Sequence, residues 1–158
     1  MFCDLVGSTA LSTRLDPEDL GRVIGAYHRT VAETVQRFDG FIARYMGDGV
    51  LVYFGYPRAH EDDAERAVRA GLDVVAAIEN MATPAGKLEV RIGIATGLVV
   101  VGDLVGEGAS EEHGVVGDTP NLAARLQALA QPGSIVVPAS TRSLLGNLFK
   151  LRSLGATN

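Results

Sequence analysis

The chain has 158 residues, 47% hydrophobic and 21% charged, which are the proportions of one globular domain with a sizeable core. Its formal net charge of −5 argues against broad electrostatic binding to nucleic acid or to an anionic membrane. The single cysteine, Cys3, excludes an internal disulfide, and no apolar run approaches the roughly 20 residues of a membrane helix. We therefore expect a cytoplasmic domain without a nucleic-acid or membrane partner.

Apolar periodicity in the first half predicts a short strand, a long helix, a hairpin and a second helix. Asp16 followed by Pro17 is a sound helix N-cap with proline in the first turn. Gly47-Asp48-Gly49 joins two apolar runs in the manner of a tight hairpin turn. The predicted elements are a strand ending at Asp4, a helix from Pro17 to Phe38, strands from Phe41 to Tyr45 and Val50 to Gly55, and a helix from Glu61 to Met81.

The second half predicts more strands, a third helix opened by Thr119-Pro120, and a flexible glycine-rich connection ending in a short strand. The order of elements favours a single α+β domain over residues 1–158, with helices packed on one face of a mainly antiparallel sheet. Both ends look cut, so we expect the domain to be excised from a longer polypeptide. The predicted elements are strands Leu88–Ala95 and Leu98–Val101, the connection Gly102–Gly117, a helix from Thr119 to Ala130, a strand Ile135–Val137, a helix Ser140–Leu145 and a strand Phe149–Leu154.

Two aspartates, Asp4 and Asp48, each follow an apolar, strand-like run and are followed at once by small residues. Small residues let a phosphate or a metal ion approach the backbone closely. Either segment alone is more often structural, since Asp-Gly is a common turn and Gly-Ser-Thr a common helix start. An antiparallel sheet could place the first strand beside the hairpin tip. The two segments together therefore predict a pair of carboxylates that binds two divalent cations for phosphoryl transfer.

The third helix and one strand carry further candidate residues. Asn121 and Arg125 are four residues apart, so they project from one helix face, where they could hold a ribose and stabilise charge on a phosphate. Arg91 lies within an otherwise apolar strand and is a candidate phosphate ligand. A solvated surface position is the alternative for all three side chains.

Taken together, these segments resemble the catalytic domain of class III adenylyl and guanylyl cyclases, in the style of the bacterial and soluble adenylyl cyclases. The resemblance covers essentially the whole chain, and four motifs occur in the family's order. The matching segments are Phe2–Thr9, Tyr45–Gly49, Arg91–Gly97 and Gly117–Arg125.

The resemblance implies a ferredoxin-like core and a head-to-tail homodimer with active sites shared between the two chains. Asp4 and Asp48 would bind two Mg²⁺ or Mn²⁺ ions, helped by the backbone carbonyl of Leu5 or Val6. The reaction would be attack of the ribose 3′-oxygen on the α-phosphorus of ATP, or of GTP, giving a 3′,5′-cyclic nucleotide and pyrophosphate. Fused regulatory or output domains are also implied for the full-length chain.

The resemblance also implies the contacts to the substrate. The amides around Gly7, Ser8 and Thr9 would cradle the β- and γ-phosphates, and Arg91 would reach the γ-phosphate. The partner protomer would contribute Asn121 to the ribose and Arg125 to the developing charge on the α-phosphate.

The positions that read the base depart from the family pattern. Adenylyl cyclases of this type usually carry a lysine four residues before the second metal aspartate, where this chain has Arg44. The companion base-reading position, commonly Asp or Thr, aligns with Gly114, which supplies no side chain. The choice between ATP and GTP therefore stays open.

Three functions fit the motifs to different degrees. The favoured one is an active nucleotidyl cyclase that acts on ATP. The alternative, motivated by Arg44 and Gly114, is a weak or inactive pseudo-cyclase that binds nucleotide or dimerises in signalling. A cyclic dinucleotide synthase ranks last, because its Gly-Gly-acidic-acidic-Phe hairpin is missing from Met46–Val50.

Overall fold

The computed structural model describes residues 1–101 and 118–156, and it has the predicted α+β architecture. The helix N-cap predicted at Asp16 is present, since its side chain accepts a hydrogen bond from the backbone N–H of Asp19 at 2.9 Å. In chain order the elements are β1 (Phe2–Leu5), α1 (Ser8–Arg14), α2 (Pro17–Gln36), β2 (Phe41–Met46), β3 (Gly49–Tyr53), α3 (Asp63–Glu79), β4 (Val90–Gly93), α4 (Asp118–Leu129), β5 (Ser134–Val136) and α5 (Ala139–Leu145).

The five strands form one sheet in the order β2-β3-β1-β4-β5. The central strand, β1, is antiparallel to both neighbours, whereas β4 and β5 are parallel. Register pairs Cys3 with Val50 on one side and Asp4 with Arg91 on the other. The carboxyl end of β1 therefore lies between the β2–β3 hairpin and the start of β4.

Alternate residues of the strands contact two different layers. Cys3, Leu5 and Ile92 belong to the buried core that includes α2 and α3, and the Cys3 thiol lies 3.4 Å from the Tyr27 hydroxyl. The intervening residues face the other way. A Cβ built on Gly93 would lie 2.1 Å from the carbonyl oxygen of Ala123, so the backbone of α4 rests directly against β4 on that second face. The expected packing of the helices on one face therefore describes α2 and α3 but not α4.

Some predicted elements are wrong in type. Residues 8–14 form a helix that was not predicted, because seven residues with one buried side chain, Leu11, carry too little periodicity to detect. Leu98–Val101 and Phe149–Leu154 are not strands. Leu98 is 93% exposed, and the Phe149 ring lies under the Arg69 guanidinium, 5.3 Å from its centroid. The predicted connection Gly102–Gly117 lies outside the described residues.

The observed strands are also shorter than predicted around Leu88–Ala95, where pairing covers Val90–Gly93. Among the helices of the described ranges, none combines the length and the apolar character needed to cross a membrane.

Candidate active site

The carboxyl groups of Asp4 and Asp48 meet, although 44 positions separate them in the sequence numbering. The register places Gly49, the residue after Asp48, next in line with Asp4 on the adjacent strands. The two side chains are close enough to hydrogen-bond to each other. The predicted convergence of the two aspartates therefore occurs in the fold.

Burial, the negative charge of Asp48 and the hydrogen bond between the two side chains together raise the pKa of Asp4 to about 6. Two groups oppose this rise. The backbone N–H of Leu5 donates to Asp4 Oδ1 at 3.0 Å, and the Arg91 guanidinium contributes a positive charge. Asp4 thus holds a proton more readily than an isolated carboxylate would, and a divalent cation is the other way to relieve the repulsion.

A glycine-containing turn presents Asp48. Met46 pairs with Gly49, so Gly47 and Asp48 form the two-residue loop of the β2–β3 hairpin. Gly47 has φ 62°, in the left-handed region, and no heavy atom lies within 4 Å of the position a Cβ would take. The hairpin tip therefore has open space beside Gly47.

Arg91 lies directly opposite Asp4 on β4. Its Nε atom is buried and has no hydrogen-bond partner in the structure. A buried donor without an acceptor costs free energy, about 1–3 kcal/mol, so it is the kind of group that an anionic ligand satisfies. Its charge and its orphaned donor fit a phosphate held next to the two carboxylates.

The loop after β1 offers backbone donors. Gly7 has φ 70° and precedes α1, which begins at Ser8, and no heavy atom lies within 4 Å of its Cβ position. The hydrogen bond from Leu11 N to Gly7 O, 3.1 Å, closes the first turn. The N–H groups of Ser8 and Thr9 precede this bond, so they have no acceptor within the helix. Leu5, paired with Val90, and Val6, whose N–H donates to Glu89 O at 2.9 Å, lead into this loop.

Asn121 and Arg125 both lie on the exposed side of α4, opposite the buried residues Ala123 and Leu126. In the described parts of the chain, no hydrogen bond or ion pair joins either of them to Asp4, Asp48 or Arg91. A single chain therefore brings together the residues expected to bind metal and phosphate. The residues expected to bind the ribose and to stabilise the transition state are exposed to solvent.

Of the two residues expected to read the base, Arg44 lies within the described residues. Arg44 is half-buried on β2 and pairs with Leu51 of β3, just past an irregularity in the register after Ile42. Gly114 lies outside the described residues.

One residue that the sequence reasoning missed lies in this site. Phe2 is two residues from Asp4 on β1, and its ring covers Gly49, next to Asp48. The alternation of a strand could have identified it, since residues i and i+2 share a face.

Two further observations bound the site. In residues 1–101 and 118–156, no group of three His, Cys, Asp or Glu side chains is placed to hold a metal ion. Backbone carbonyls or ligand oxygens would have to complete any coordination by Asp4 and Asp48.

A cavity of about 270 Å³ opens at the other end of β1, beside Met1, and the two aspartates do not line it.

Comparison with known proteins identifies the family. The sequence profile described as "Adenylate and Guanylate cyclase catalytic domain" matches residues 1–158. Adenylate cyclase 1 of Rhizobium meliloti (strain 1021) is 32% identical over 164 residues, covering 98% of this chain and 24% of that protein. The chain spans between 14% and 35% of the length of the first curated relatives that it matches.

Solved structures agree with this match. The guanylyl cyclase Cya2 is 33% identical, with a TM-score of 0.85 over 99% of this chain and 85% of that one. The adenylyl cyclase CyaB from P. aeruginosa is 28% identical, with a TM-score of 0.85 over 99% of this chain and 84% of that one. These findings confirm the resemblance drawn from the motifs: the chain belongs to the adenylate and guanylate cyclase catalytic domain family.

Proposed function

We propose that the domain is a nucleotidyl cyclase that converts ATP, with GTP as the alternative substrate, into a 3′,5′-cyclic nucleotide and pyrophosphate. The observation that carries this proposal is the meeting of Asp4 with Asp48, beside the orphaned Nε of Arg91. Two carboxylates beside a guanidinium with a buried, unsatisfied N–H donor are complementary to a metal-bound triphosphate. A nucleoside triphosphate substrate favours a cytoplasmic setting.

The chain's own groups would share the work of binding. Asp4 and Asp48 would hold two Mg²⁺ or Mn²⁺ ions, with the carbonyl of Leu5 or Val6 as a further ligand. Bound ions would supply Lewis-acid polarisation of the phosphates and lower the pKa of the ribose hydroxyl.

The phosphates would be held by backbone and side-chain donors. Amides around Gly7, Ser8 and Thr9 would donate to the β- and γ-phosphates, where the open Cβ position of Gly7 leaves room for them. The guanidinium of Arg91 would bind the γ-phosphate and satisfy its buried Nε.

The remaining groups would come from a second copy of the chain. Asn121 and Arg125 are exposed and apart from the carboxylates, which supports a head-to-tail homodimer with two shared sites. Asn121 would orient the ribose. Arg125 would stabilise charge on the α-phosphate while the 3′-oxygen bonds to phosphorus and the bond to pyrophosphate breaks.

The proposal is tested by cyclic nucleotide production from Mn-ATP and Mn-GTP by the purified, verified dimer. Asp48→Ala and Arg125→Ala should each abolish activity. Because the two residues would act from different chains, mixing the two inactive variants should restore about a quarter of wild-type activity through heterodimers with one intact site. No product with either substrate from the wild-type dimer would defeat the proposal.

A second candidate function is a pseudo-cyclase that binds nucleotide or dimerises without turnover. Arg44 favours it, since the family's adenine-reading lysine is replaced by a larger planar group. Calorimetry with a nucleotide and Mn²⁺ separates the two functions, because tight binding without cyclic product would support the pseudo-cyclase.

A further inference from the structure

The Phe2 side chain links β1, which carries Asp4, to the backbone of Gly49, which follows Asp48. A Cβ built on Gly49 would lie 3.0 Å from Cζ and 3.6 Å from Cε1 of the Phe2 ring, so the ring packs tightly over Gly49. Phe2 is half-buried and shares a sheet face with Asp4. Gly49 is buried and follows Asp48 directly.

The hairpin tip has few other ties to β1. The pairs that join β1 to β3 are Phe2 with Leu51 and Cys3 with Val50, so ladder pairing ends short of Asp48. Gly47 at the tip is exposed and in the left-handed region. Diagonal neighbours on adjacent strands lie within reach of an aromatic side chain, and the Phe2 ring spans that diagonal.

We propose that Phe2 is a positioning residue of the divalent-cation site, which holds Gly49 against β1 and so sets the spacing of the Asp4 and Asp48 carboxylates. This inference rests on the proposed function, because it requires cations bound by that pair. Metal–oxygen distances tolerate only about 0.2 Å of error, so a small tilt of the hairpin tip would reduce affinity. Removing a group that orients metal ligands typically costs 10–100-fold in metal affinity.

The chain contains a matched control. The Phe54 ring covers Gly40 in the same way, since a Cβ on Gly40 would lie 3.1 Å from both Cε1 and Cζ of Phe54. Phe54 is also half-buried, and it lies just past the end of β3 that is remote from the hairpin tip. Phe54→Leu and Phe2→Leu therefore remove the same ring from the same kind of contact, but only one contact lies beside the carboxylates.

The test is a titration of the dimeric protein with Mn²⁺ alone, followed by the EPR signal of the free ion. We expect Phe2→Leu to raise the Mn²⁺ dissociation constant about 10-fold, Phe54→Leu to leave it within about 2-fold, and Asp48→Asn to abolish binding. Thermal unfolding in EDTA should show a similar decrease in Tm for the two Leu variants, so a difference in Mn²⁺ affinity could not be assigned to a difference in folding.

The outcomes separate this inference from the function on which it rests. Equal Mn²⁺ affinities for Phe2→Leu and Phe54→Leu would overturn the positioning role while leaving the cation site intact. Absence of Mn²⁺ binding by the wild type would overturn both. If Phe2→Leu does not fold, Phe2→Tyr keeps the ring and adds a hydroxyl at the Cζ facing Gly49. A Mn²⁺ affinity of Phe2→Tyr equal to that of the wild type would overturn the positioning role, and weakened binding would support it.

Discussion

The meeting of Asp4 and Asp48 should destabilise the metal-free protein, and replacing Asp48 should relieve this. The pKa of Asp4 is raised from its ordinary value of 3.8 to about 6, which corresponds to about 3 kcal/mol if fully expressed in folding. Because Asp4 is only half-buried, solvent screening reduces the contribution to about 1 kcal/mol. Burial, the largest cause of the shift, is unchanged by Asp48→Asn, but this variant removes the neighbouring charge and can donate a hydrogen bond to Asp4, so it should recover part of that amount.

The sign of the pH dependence follows from a raised folded-state pKa. Protonated Asp4 is favoured in the folded state, so its contribution to stability is complete below pH 3.8 and is lost as the pH rises through about 6. Urea denaturation in EDTA should therefore show Asp48→Asn more stable than the wild type at pH 7.5, by up to about 1 kcal/mol. The two proteins should converge near pH 4.

Asp73→Asn, which removes an exposed charge from α3, controls for net charge and should follow the wild-type profile. Added Mn²⁺ should stabilise the wild type and leave Asp48→Asn unchanged. If Asp48→Asn were less stable than the wild type at pH 7.5 in EDTA, or if the difference did not change with pH, the electrostatic account of the pair would be wrong.

Three further predictions concern the scaffold around the site, and urea denaturation checks each. Gly93→Ala should cost about 3 kcal/mol, because its Cβ would lie 2.1 Å from a backbone oxygen of α4. Gly21→Ala, at an exposed position of α2 with nothing within 4 Å, should instead stabilise by about 0.5–1 kcal/mol, and equal effects would refute the close contact. Asp16→Ala should cost about 1 kcal/mol by removing the α2 cap, and no loss would mean that water replaces it. Arg66→Ala should cost about 2 kcal/mol, since its Nη1 donates to Phe38 O at 2.8 Å beside an acidic cluster, and a loss abolished by high salt would show that charge alone is responsible.

The convergence of the two aspartates could be predicted because few antiparallel arrangements of the first strand and the hairpin are available. Asp4 lies near the end of β1, Asp48 lies at a tight turn, and pairing the strands places the turn beside that end of β1. Arg91 was identified as a charge in an apolar strand, and its orphaned Nε explains that exception.

The layer on which α4 lies could not be predicted. It depends on the direct contact of the α4 backbone with Gly93, and a glycine in a strand indicates close approach without naming the partner. Strand alternation places Phe2 on the same face as Asp4, but nothing in the sequence shows that its ring lies over Gly49. The short helix α1 was missed because its one buried side chain, Leu11, gives no apolar periodicity to detect.

The contact between Cys3 and Tyr27 makes this thiol a reporter of the protein's opening motions. Burial raises the pKa of Cys3 to about 12, and no part of the side chain reaches solvent. Thiol-specific alkylating reagents should therefore react only with molecules in which β1 has separated from α2. The rate of labelling would then report how often the strand that carries Asp4 leaves the sheet, without any residue being added to the protein.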